Sequence, residues 1–243
     1  MILALFSIAF VYSSVGFGGG SLYLTILSQV YPGVSWIRFP ALLCNASVTA
    51  IGSLNFARAK WLPFRPVLQL LAFSIPFTIW AASWKIATSS FLLILGAMLF
   101  VAGAALCLRY NEIEIGDKEI RNPWWLYPIV AVIGVLSGIT GIGGGIYLAP
   151  FLHHSRWAST KAIAATTSFF ILINSVFSIL VLLWNGLQWN NSYFGWIAAV
   201  ILGGWMGSKT SIRWMQGLHL RIVTALILMF VGIKIWLDHW NIL

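Results

Sequence analysis

Gly16-Phe17-Gly18-Gly19-Gly20 sits inside residues 1–37, a stretch without one Asp, Glu, Lys or Arg. It returns 125 positions later as Gly141-Ile142-Gly143-Gly144-Gly145, inside the equally uncharged residues 122–155. Leu27 matches Leu152 at the same spacing. Beyond the loop at 153–161, where the second copy holds four extra residues, the spacing becomes 129: Asn45 with Asn174, Leu99 with Leu228, Gly103 with Gly232. Self-similarity at a fixed offset marks a duplicated unit. The chain divides into a first repeat, 1–109, a charged linker, 110–123, and a second repeat, 124–243. The linker holds Glu112, Glu114, Asp117 and Glu119, and the one acid elsewhere is Asp238.

Hydrophobic residues fill 60% of the 243 positions and charged residues 8%, against about a quarter charged in a soluble domain. Further uncharged stretches run over 39–57, 66–84, 86–108, 162–208 and 222–233. Most reach the ~20 residues that a bilayer-spanning helix needs. The alternating strands of a membrane barrel, about 10 residues each, are missing. The fold class is therefore an all-α integral membrane protein. A net charge of +9 would suggest nucleic acid in a soluble chain, but here it is the Lys and Arg excess of cytoplasmic loops. Lipids are the expected surroundings and no nucleic-acid partner is. Cys44 and Cys107 lie in apolar stretches, which indicates neither a disulfide nor a metal site, and nothing calls for a cofactor. No basic run precedes the first apolar segment, so insertion is expected to rely on the spans themselves.

Each half reads as a glycine-broken apolar segment (1–31; 124–152) followed by three helices, at about 38–57, 63–84 and 88–109, then 161–184, 193–209 and 217–238. The broken segment either crosses the bilayer or enters and leaves on one side, and the basic residues discriminate. With full crossings the 14 Lys and Arg split evenly between the two sides. With re-entrant hairpins one side holds Arg58, Lys60, Arg65, Arg109, Lys118, Arg121, Arg156, Lys161, Lys209, Arg213 and Arg221, and the other keeps Arg38, Lys85 and Lys234. The second partition is the one that positive-inside sorting produces. Hairpin arms of about 10–15 residues are also too short to cross ~30 Å of hydrocarbon at about 1.5 Å per residue. The expected architecture is two inverted repeats, each a re-entrant helical hairpin plus three transmembrane helices. It would be a multi-pass protein of the cytoplasmic (inner) membrane, with both termini outside and the linker in the cytoplasm. Broken helices meeting near the midplane between inverted repeats are a recurring transporter plan.

Glycine-rich backbone at membrane depth survives only where protein or an aqueous cavity covers its polar groups. The arm after each run starts with free N–H groups at the positive end of a helix dipole, which suits an anion. Helix packing by small residues is the plainer explanation of either run alone; two runs at equivalent places favour a site. Arg38, Asn45, Thr49 and Gly52 share one face of the following helix, as do Thr160, Thr167, Asn174 and Ser178 in the second half, with Ser168 and Ser175 beside them. No Asp or Glu occurs in any span, whereas a cation site would want carboxylates. The candidate substrate-binding residues are Gly16, Gly18, Gly19, Gly20, Ser21, Asn45, Thr49, Gly141, Gly143, Gly144, Gly145, Thr167, Asn174 and Ser178. Asn45 and Asn174 either hydrogen-bond between helices or offer their amide N–H groups to substrate. Cys44 reads first as a packing residue, and His153 and His154 as a solvated loop pair; no catalytic or metal-binding set is formed.

The duplicated G-x-G-G-G run, each copy opening half of an all-helical chain of this size, with Pro150 after the second in an Ala-Pro-x-Leu setting, resembles the sulfite exporter TauE/SafE (sulfonate uptake permease) family. The resemblance covers nearly the whole chain and departs from symmetry at Thr25, which stands where Pro150 does. It implies a secondary transporter, not an enzyme, for a small sulfur-containing anion such as sulfite, thiosulfate or sulfoacetate. Substrate is then expected near the glycine runs, and more loosely at Asn45 and Asn174. An anion channel of the same architecture and a membrane partner without transport activity stay open, as does a homo-oligomer.

Overall fold

The computed structural model describes residues 1–30, 34–84, 120, 122–186 and 193–214, together with single helical positions between 93 and 104 and between 222 and 237. The expected spans at 88–109 and 217–238 and the acidic linker fall largely outside the described residues. Among those residues the ordered elements are all helical: α1 (Ile2–Ser14), α2 (Gly20–Val30), α3 (Val34–Arg58), α4 (Phe64–Ala82), α5 (Leu126–Thr140), α6 (Gly145–His154), α7 (Thr160–Trp184) and α8 (Tyr193–Trp214). Three of them, α3 over Ile37–Arg58, α4 and α7, are long and apolar enough to cross a membrane. The 22-residue α8 runs past its expected end at 209 and carries Lys209 and Arg213 in its last turns.

Polarity is distributed the opposite way from a water-soluble bundle. Ser13, Ser53, Ser74, Thr78, Ser168 and Ser208 are buried, while Phe64, Leu68, Phe73, Phe77 and Trp80 on α4 and Phe194, Leu202 and Trp205 on α8 point outward. Hydrocarbon offers no gain for burying a leucine, so the interior is where hydroxyls find partners. Ser13 donates to Gly204 O at 2.8 Å, Asn55 to the Ser208 hydroxyl at 2.7 Å, and Thr78 to Gly134 O at 3.1 Å.

The helices pair across the two halves. α1 packs on α8 and α4 on α5, α3 meets α7 and α8, and α4 meets α7, while α2 lies on α3 and α6 on α7. Exchanging the halves (α1–α4 for α5–α8) maps these pairs onto one another. The correspondence reaches single residues. A Cβ on Gly203 would stand 2.4 Å from Phe6 O and 2.9 Å from the Ala9 Cβ, and one on Gly134 would stand 2.5 Å from Ser74 O. Gly134 follows Ala9 by 125 positions and Gly203 follows Ser74 by 129, the two offsets of the sequence repeat.

One end of the bundle is fixed by polar contacts. Asn122, just before α5, donates to Pro66 O at 2.8 Å and accepts from the Trp157 indole, just after α6, at 2.9 Å. The start of α5 and the exit of α6 therefore lie together, beside the start of α4. Lys161 stands 5.4 Å from the Trp61 ring and donates to Ile212 O at 3.1 Å. The N-terminus of α7, the α3–α4 loop and the last turn of α8 share that end.

Candidate functional site

Both glycine runs are turns between two short helices. Gly16 and Gly141 have φ of +83° and +71°, Gly19 and Gly144 +88° and +78°, and Gly143 +79°. L-residues with side chains resist this left-handed region. α2 begins at Gly20 and α6 at Gly145, again 125 positions apart. The first turns of these helices leave donors over, as helix starts must. The N–H groups of residues 142–146 meet no backbone acceptor among the described residues, and neither do those of Gly18, Gly19, Ser21 and Leu22.

The turns are tightly seated. A Cβ on Gly16 would fall 2.3 Å from Ala164 O on α7, and one on Gly18 would fall 2.0 Å from Asn45 Oδ1 on α3. On Gly143 it would lie 2.7 Å from the Ile171 and Ser175 side chains, and on Gly145 2.4 Å from Ile171. Gly141 has the most room, with Leu42 at 3.4 Å and Arg38 Nε at 3.7 Å.

Asn45 joins the two turns. Its Oδ1 accepts from Gly20 N at 3.1 Å, and its Nδ2 donates to Ile142 O and to the Ser175 hydroxyl, each at 3.0 Å. One fully buried amide thus ties the first glycine turn, the second glycine turn and α7. Both of its N–H donors are used within the protein. Asn174 is bonded otherwise: its Oδ1 accepts from Ser74 at 2.9 Å and Thr78 at 2.7 Å, on either side of Pro76 in α4, and its Nδ2 donates to Phe170 O at 3.0 Å.

With this geometry in view, the comparison with known proteins is decisive: the sulfite exporter TauE/SafE profile matches residues 1–235. The chain belongs to the sulfite exporter TauE/SafE family. It is 29% identical over 238 residues to the probable membrane transporter protein y4hK of Sinorhizobium fredii (strain NBRC 101917 / NGR234), covering 96% of each chain. It is 25% identical over 250 residues to the probable membrane transporter protein MJ0441 of Methanocaldococcus jannaschii, covering 96% of this chain and 93% of that one. No solved structure matches. The chain is a membrane transporter.

Within this TauE/SafE fold the other candidate residues divide. Thr167 reaches a glycine turn: its hydroxyl lies 3.3 Å from Gly16 O, its one proton shared with Ile163 O and Ala164 O of its own helix at 3.0 and 3.1 Å. Thr49 bonds back to Asn45 O at 2.8 Å. The Ser21 hydroxyl lies 3.4 Å from the Tyr12 hydroxyl. Ser178 is fully buried, with a hydroxyl that has no hydrogen-bond partner among the described residues. Cys44 is buried and free, His153 is half-buried, and the His154 side chain lies outside the described residues. Arg38, read from sequence as starting the helix and sharing a face with Asn45 and Thr49, lies near the start of α3 and is buried, its Nη2 2.5 Å from Gly138 O on α5. Ser74 and Thr78 were not candidates either. Their spacing of four around a proline in an apolar span was the available signal.

Proposed function

We propose that this transporter carries a small sulfur-containing oxyanion, such as sulfite, thiosulfate or an organosulfonate like sulfoacetate, across the cytoplasmic membrane by alternating access. One observation carries the reading. Two glycine turns, each opening a helix with N–H groups that meet no backbone acceptor among the described residues, are brought together by a single buried amide at Asn45. Backbone donors at a helix start suit a tetrahedral or pyramidal oxyanion, and they need no carboxylate or metal. The family's description as sulfite exporters points to the same substrate class.

The two halves act as inverted repeats, and each glycine-broken pair of helices is a re-entrant hairpin. The bond from Trp157 to Asn122 supports this for the second hairpin, because it joins the segments before and after it. Lys161 beside Trp61 supports it again, since a full crossing by each broken segment would put those two residues on opposite sides. Both termini then lie outside. Labelling fixes the sidedness. In a chain lacking Cys44 and Cys107, single cysteines at Lys60 and Lys161 should react with an impermeant thiol reagent from the cytoplasmic side, and one at Ser83 from the opposite side. Reaction of positions 60 and 161 from opposite sides would remove the re-entrant topology.

Transport is tested with purified protein in liposomes and radiolabelled sulfite. Saturable uptake is expected, competed by thiosulfate and sulfoacetate more than by chloride. It should be lost in Gly144→Leu, where φ is +78° and a Cβ would press on Ile133 and Ser137 at 3.0 and 3.1 Å. Flux that rises with concentration without saturating would favour a channel over a carrier.

A further inference from the structure

We propose that Arg38 is the charged contact for the substrate anion, so that the binding site is one-sided: a cation on the first half, backbone donors on the second hairpin. This rests on the anion-carrier reading above.

Arg38 is 6% exposed, and none of the chain's five acidic residues lies among the described residues. Its Nη2 donates to Gly138 O near the end of α5. Its Nε is buried and has no hydrogen-bond partner among the described residues. A guanidinium has five N–H donors and no acceptor of its own. No carboxylate among the described residues stands beside it; a buried charge without a partner is expensive, and such residues in membrane spans usually serve a substrate or ion path. The unpaired Nε faces Gly141, the glycine of the two turns with the most room. The next residues along, 142–146, are those whose N–H groups meet no backbone acceptor among the described residues. An oxyanion placed there would neutralise Arg38, satisfy Nε–H and accept from the turn.

The other half argues in the same direction. Thr167 follows Arg38 by 129 positions, and it reaches the opposite turn at Gly16 O, whereas Arg38 reaches the last turn of α5, at Gly138 O, just before the second glycine turn. Where a neutral hydroxyl suffices to hold a turn in place, the guanidinium is not needed for holding alone. Its charge is left to be explained, and an anionic substrate explains it.

The rival role is a plain cap on the end of α5, and glutamine separates the two. Arg38→Gln keeps an N–H donor for Gly138 O and removes the charge, whereas Arg38→Lys keeps the charge and removes the planar edge. Full-length protein is reconstituted and sulfite uptake is measured with melting temperature in detergent. The expected result is a KM for sulfite raised about 10- to 100-fold in Arg38→Gln, as for loss of one charge-assisted hydrogen bond, with a smaller rise in Arg38→Lys. A folded Arg38→Gln variant with unchanged KM overturns the proposal and leaves the carrier standing. If Arg38→Gln is not recovered folded, Arg38→Lys carries the test: a raised KM upholds the proposal and an unchanged KM overturns it. No uptake of sulfite, thiosulfate or sulfoacetate by the unaltered protein overturns both this proposal and the anion-carrier reading.

Discussion

Gly16→Val will not yield a folded transporter. At φ +83° a β-branched residue is strained by its backbone alone, at about 1–2 kcal/mol. The larger penalty is steric, since its Cβ would stand 2.3 Å from Ala164 O and 2.6 Å from Ala164 Cα. These are backbone atoms in the second turn of α7, which cannot rotate aside as a side-chain tip can. The first glycine turn would have to leave α7, breaking the Thr167 contact as well. Gly186→Ala is the control: φ is +85° there too, yet nothing lies within 4 Å of a Cβ. That variant should lose only about 1–2 kcal/mol, the backbone share. Size-exclusion profiles and melting in detergent decide the matter, and a Gly16→Val protein that melts with the parent would show that the turn does not dock as described.

Asn45→Leu is expected to destabilise the protein by about 2–4 kcal/mol and to stop uptake. It would leave Gly20 N–H and Ile142 C=O without partners, and unpaired buried groups cost about 1–3 kcal/mol each, less where a membrane protein can rearrange. Asn174→Leu should cost clearly less, although the two asparagines occupy matched positions. Of its two hydroxyl partners, Thr78 keeps Gly134 O, and Ser74, the one orphaned, can turn to its own backbone, as Thr49 does to Asn45 O. Backbone groups in a turn have no such retreat. Unfolding of both variants by denaturant in the same detergent checks the order; equal losses would mean that Asn45 does not bridge the turns as its three bonds indicate.

Much of this was legible in the chain itself. Long uncharged stretches can only be membrane helices, and a glycine run repeated at a fixed offset is visible without coordinates. The starts of α2 and α6 fall on Gly20 and Gly145 because glycine is what the turn before each helix demands. Bonding partners were less legible. Asn45 and Asn174 are the same residue at the same place in each copy, yet one bridges two turns and the other takes two hydroxyls from α4. Such a difference depends on how the halves dock, which periodicity within one helix does not encode. The partner of Arg38 was hidden for a related reason. Its place on one helix face with Asn45 and Thr49 was readable, but only the neighbouring α5 supplies the carbonyl to which it donates.

The unlike bonding of Asn45 and Asn174 has a consequence for the cycle proposed above. If the halves exchange roles as access switches, the arrangement described is one member of a pair, and its counterpart can be written down. Asn174 would turn from α4 to take Gly145 N–H and Phe17 C=O, the partners that correspond to those of Asn45, and Asn45 would release both turns. The exchange cannot be fully reciprocal, because Ala46 stands where Ser175 would be required, and Gly203 and Gly207 stand where Ser74 and Thr78 would be. The second state would therefore lack three side-chain hydrogen bonds that the first one has. Those missing hydroxyls are a bias written into the resting population: without substrate, the chain should idle on the side that this structure represents.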